Sequence, residues 1–125
     1  QLVEIIKQAV PFWYRTGRRL NCATKTFQAL RLAVNLELEN LASGLVQAVT
    51  VLASSGRLAV ISFHSLEDRI VKNFFREQAK LGNLQILTKK PIRDPWYARV
   101  PGVQRIGNIG IGTARSAKLR IAKKI

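Results

Sequence analysis

The chain has 125 residues, 47% of them apolar and 22% charged, a balance that suits one globular domain and excludes an intrinsically disordered one. Lys and Arg number 21 against 7 Asp and Glu, a formal charge of +14, so a polyanionic partner is expected (RNA, DNA or an anionic membrane surface), with a basic surface kept for solubility as the plainer alternative. One cysteine, Cys22, and one histidine, His64, exclude an internal disulfide and argue against a metal cluster, and no apolar run reaches the ~18–20 residues that span a bilayer. The start, QLVEIIKQAV, lacks the basic n-region of a signal peptide, and the absence of any Met suggests a processed or truncated chain. Charge is uneven: residues 86–125 hold ten Lys or Arg against one acid, Asp94.

Leu2, Val3, Ile5, Ile6 and Val10 predict a short helix ended by Pro11. PFWYRTGRRLN follows and reads as a loop, in which Phe12, Trp13 and Tyr14 either stack on bases beside Arg15, Arg18 and Arg19 or anchor the loop to a core. From Thr24 to Leu52, Phe27, Leu30, Val34, Leu38, Leu41, Leu45 and Leu52 form one helical stripe. Thr24 or Asn21 is its expected cap, and Gly44 the expected break between two helices. After a Ser54-Ser55-Gly56 turn, the apolar run from Arg57 to Phe63 predicts a strand buried on both faces, as in a parallel sheet. Ser65 and Asp68 read as a capping box opening a helix with Leu66, Ile70, Val71, Phe74 and Phe75 inward. A second strand is expected at Leu84–Thr88, then a long loop over 93–114. Alternation returns at 117–123, with Ala117, Leu119 and Ile121 on one side and Lys118 and Arg120 on the other, the pattern of a half-buried strand. No helix links the last two strands, so they should be antiparallel neighbours. The expected fold class is α/β: the back part of an open sheet, preceded by helices and ending in an antiparallel pair.

Ser62, His64 and Ser65 fall just past the carboxyl end of the first strand, the edge where open α/β sheets bind ligands. They are the candidates for lining a cleft, with His64 as a hydrogen-bonding partner. The alternative makes Ser65 only a helix cap and His64 a satisfied turn residue. Asp68 is expected to complete the cap and Arg69 to pair with a neighbouring acid. Arg18, Arg19, Lys89, Lys90, Arg93, Arg115, Lys118 and Arg120 are expected phosphate contacts. Trp96, with Tyr97, either stacks on an unpaired base or packs the long loop. GNIGIG at 107–112 follows no predicted strand and opens no helix, which makes it a poor cofactor loop. No metal site is expected, and the sequence does not identify the catalytic residue.

Three stretches carry a resemblance: ATKTFQALRLAVNLELENL (23–41), RLAVISFHSLEDRIVKNFF (57–75) and ARSAKLRIAKK (114–124), with LTKKPIR (87–93) as a shorter fourth. In order and spacing they resemble the MraW-type family, the methyltransferases H of small-subunit ribosomal RNA. That resemblance implies methyl transfer from S-adenosylmethionine to the exocyclic amine of a cytidine, on a Rossmann-like sheet with a helical substrate-recognition insertion. It implies residues 1–22 as the tail of the insertion and 23–125 as the C-terminal half of the methyltransferase domain. The cofactor-binding half would then be absent and the cofactor would not bind this chain alone. The implied partners are ribosomal RNA and the small subunit, plus the missing half or a partner chain, with no membrane, in the cytoplasm or an organelle. A non-catalytic rRNA- or ribosome-binding remnant of the family is the alternative. The chain departs from the family's pattern at Asn21 and Cys22, where a His-Pro is usual, and in RDPWYARVPGVQRIGNIGIGT, where an acidic loop is usual.

Overall fold

The computed structural model describes residues 1–15, 21–93 and 116–125. They form two compact units, Gln1–Glu37 and Leu38–Ile125.

In the first unit, α1 (Leu2–Ala9) buries Ile6 and carries an exposed Glu4–Lys7 ion pair of 2.8 Å. Pro11 ends it, since proline cannot donate the next helical hydrogen bond. Residues Phe12–Arg15 form a helical turn, α2, where the sequence suggested loop. Pro11 is the reason: its fixed φ favours a helical start, and its carbonyl accepts from Tyr14 N–H at 3.0 Å. Asn21 serves the start of α3 (Thr24–Val34), its Oδ1 accepting from Ala23 N–H at 2.9 Å and its carbonyl from Thr24 N–H at 3.0 Å. Ala23 and Leu32 are buried. The predicted stripe of Phe27, Leu30 and Val34 is instead 46%, 47% and 80% exposed. The helix break falls at Asn35-Leu36, with Leu36 in the left-handed region at φ 50°. Gly44 lies inside α4 (Glu37–Val51) with open space around it.

The second unit is a three-stranded sheet with α4 and α5 (Ser65–Lys80) packed on one face. Its order is β1-β3-β2, with β1 at Arg57–Ser62, β2 at Leu84–Ile86 and β3 at Lys118–Lys124. Both pairings are antiparallel, so β1 and β2 run parallel to each other, joined by α5, and β3 inserts between them. The expected antiparallel pair is present. Leu45, Val71, Phe75, Leu84 and Ala122 form the buried core, with Leu41, Val49, Leu58 and Val60 packed against it.

Two strand expectations need correction. Only one face of β1 is covered among the described residues: Leu58, Val60 and Ser62 point inward, and Ala59 and Ile61 are exposed. In β3 the inward set is the one that looked polar. Arg120 and Ala122 are buried, opposite Val60 and Leu58, while Leu119 and Ile121 face the other way. Charged inward groups are tolerated because each has a partner. Lys124 Nζ donates to the carbonyls of Val49 and Leu52 at 2.8 and 2.7 Å, closing the end of α4, where the helix dipole favours a cation.

The α4–β1 turn needs Gly56. A Cβ there would lie 2.7 Å from the Ala53 carbonyl oxygen and 2.8 Å from Leu52. Among the described residues no helix is long and apolar enough to cross a membrane.

Candidate functional site

Because β1 and β2 are parallel, the segments leaving their carboxyl ends emerge at one edge of the sheet. Ser62 to Ser65 leave β1 there, and Leu87 to Arg93 leave β2. The second segment is tied to β3 twice. Thr88 exchanges hydrogen bonds with Ile121, the tightest being Ile121 N–H to Thr88 Oγ1 at 2.9 Å. Ile92 and Leu119 then exchange backbone bonds of 2.9 Å in both directions. Lys89 and Lys90 are held between those two clamps, both exposed, with exposed Arg93 just beyond. Among the described residues no ion pair engages these three cations. Lys118, paired across from Ser62, belongs to the same edge.

The β1–α5 turn is closed by its own side chains. His64, not Ser65, is the N-cap of α5. Its Nδ1 accepts from Glu67 N–H at 3.3 Å, and the Glu67 carboxylate accepts from Phe63 N–H at 2.7 Å and His64 N–H at 3.1 Å. A lone pair used at Nδ1 puts the neutral ring's proton on Nε2, which lies 3.3 Å from Glu67 Oε1. His64 therefore caps α5 through Nδ1, while its buried Nε2 faces Glu67 Oε1 at 3.3 Å and has no hydrogen-bond partner among the described residues. Ser65 sits exposed at the first helical position. Ser62 is buried, its hydroxyl 3.4 Å from the Lys118 carbonyl. Phe63, exposed between them, and Glu67 are the residues the motif reading passed over. The signal for Glu67 was its place three residues after His64, the spacing of a capping box.

Asp68 does not complete the cap. Its carboxylate accepts from Arg120 Nε at 2.7 Å and Arg120 Nη2 at 3.2 Å, with Lys118 Nζ at 3.5 Å. The two-pronged bond from Arg120 holds the Asp68 carboxyl below the ordinary carboxylate value; its partial burial opposes this, and the nearby charges of Arg120 and Lys118 add to it. Arg120, with a side chain 8% exposed, is therefore an interior partner of α5 rather than a free phosphate contact. Lys118 is half-committed to the same carboxylate. Arg69 is exposed and makes no ion pair among the described residues, contrary to expectation. Arg18, Arg19, Trp96 and Arg115 lie outside the described residues.

Two parallel strands joined by a helix, with an antiparallel strand between them and a basic carboxyl edge, define an α/β domain. The chain belongs to the MraW methylase family, whose sequence pattern it matches over residues 1–125. It is 47% identical over its whole length to ribosomal RNA small subunit methyltransferase H of Persephonella marina, covering 39% of that protein. It is 48% identical to the protein of that name from Pseudothermotoga lettingae over 99% of this chain and 38% of the relative. The protein of the same name in Rhodopirellula baltica is 49% identical over all of this chain and 34% of the relative. The chain thus spans about two-fifths or less of these relatives. A C-terminal half, as expected from the sequence, does not stand as stated.

Proposed function

We propose that this chain is part of an S-adenosylmethionine-dependent methyltransferase acting on the exocyclic amine of a cytidine in small-subunit ribosomal RNA, and that it supplies the RNA-gripping edge of the sheet. The observation that carries the reading is the clamped Lys89-Lys90 segment beside Arg93 and Lys118, in a chain whose family relatives are named for modifying ribosomal RNA. Lys89, Lys90 and Arg93 supply phosphate contacts, which give affinity without reading sequence. Arg18, Arg19, Arg115 and Trp96 join them in the same role, by charge and by stacking. The SFHS turn lines the cleft through its exposed Phe63 and Ser65.

The cofactor belongs elsewhere in the protein. At the start of α5, where a helix terminus would favour an anionic group, His64 and Glu67 already hold the amides, and the Glu67 carboxylate repels a ligand carboxylate. These residues do not fit the methyl donor, so no chemical step is assigned to them.

Salt dependence tests the grip. Six phosphate contacts to single-stranded RNA give log K against log salt a slope of about −4, at about −0.7 per contact. Lys89→Ala with Lys90→Ala should flatten it by about 1.4. Fluorescence anisotropy with a labelled rRNA fragment from 50 mM to 300 mM salt, about a sixfold range suited to such slopes, reads both, and a flat wild-type response overturns the reading.

A further inference from the structure

The first unit has an exposed aromatic turn that the sheet edge does not explain. Phe12 is 74% exposed and Trp13 68%. Trp13 meets Tyr14 edge-on, with ring centroids 5.9 Å apart and planes at 78°, so at least one face of the indole is left uncovered by Tyr14. Arg15 turns back to donate from Nε to the Val10 carbonyl at 3.0 Å, which fixes the turn against the end of α1. The local charge is one-sided. From Pro11 to Lys25 the chain has Arg15, Arg18, Arg19 and Lys25 and no acid. The only two carboxylates of residues 1–37, Glu4 and Glu37, are already paired with Lys7 and Arg31 at 2.8 and 2.9 Å.

Large exposed aromatics cost solubility unless they have a partner, and the surrounding charge selects a polyanion over an apolar protein surface. A polyanion with flat apolar faces is a single-stranded nucleic acid. We infer that Trp13 is a stacking platform for an unpaired RNA base, with Arg15 beside it holding an adjoining phosphate. The inference rests on the RNA-binding reading above and adds a second contact point to it.

Affinities of the 125-residue chain for an unpaired RNA oligomer and for a fully paired hairpin of equal length test this. Trp13→Ala should weaken binding to the unpaired oligomer by about tenfold, as for one lost base–aromatic stack. Trp13→Phe should keep most of the affinity, and hairpin binding should stay unchanged. Trp13 is exposed, so the melting temperature of Trp13→Ala should match the wild type. Unchanged affinity of Trp13→Ala for the unpaired oligomer, or equal weakening for both RNAs, overturns the stacking role alone. Failure of the wild type to bind either RNA overturns the RNA-binding reading with it.

Discussion

Asp68 shows how one residue's role depends on a partner far along the chain. Three residues after a serine, it reads as a cap; folded, it holds Arg120, 52 positions later. Breaking such a pair leaves a largely buried guanidinium without its counter-ion, so Asp68→Ala should cost about 3 kcal/mol in urea unfolding. Asp68→Leu with Arg120→Met should recover most of that, because neither charge is then stranded. The pair also sets an acid limit. The folded carboxyl is held below its unfolded value, so its contribution is complete above the unfolded pKa, near 3.9. It is lost as pH falls through the lower folded value. Unfolding midpoints taken from pH 7 down to about 3 should therefore decline at the acid end in the wild type, and less steeply in Asp68→Asn.

Elements were legible where periodicity and punctuation agree. The β-branched run before His64, the Pro11 stop and the helix after Ser65 all predicted what forms, although Leu66, expected inward, is 42% exposed. The failures have physical causes. Gly44 marked a false break because an isolated glycine is tolerated in a helix with open space beside it. The real break at Leu36 carries neither glycine nor proline; its one signal is Asn35, an asparagine just past the last apolar residue of α3. The inward face of β3 was inverted because Leu119 and Ile121 look like core, while the groups that satisfy Arg120 and Lys124 come from α5 and α4. His64 was passed over as a cap because Ser, Thr, Asp and Asn are the usual ones. Leu36 supplies a test at this scale. A leucine at φ 50° carries about 1 kcal/mol of strain that glycine lacks. Leu36 is mostly exposed, so Leu36→Gly should raise the melting temperature or leave it unchanged, and a fall of several degrees would contradict the strain.

For the whole molecule, family membership was legible from four stretches, and the share of the relatives' length was not. If the methyl donor's site lies in the remaining part, a calorimetric titration of these 125 residues with S-adenosylmethionine should show no heat of binding at micromolar concentrations. Saturable micromolar binding would place the donor site here. The strand order has a further consequence, for time rather than space. Among the described residues β1 and β2 do not pair with each other; each has β3 as its neighbour. During synthesis α4, β1, α5 and β2 can all be complete before any of the described strand pairings forms. Residues 118–124 then supply both pairings at once, across a separation of 66 positions for Arg57 and Lys123. Closing so long a loop is an entropic barrier that local helices do not face. Pairing through β3 is accordingly expected to follow the local helices in this unit, which stopped-flow refolding read by tryptophan-independent strand and helix signals would check.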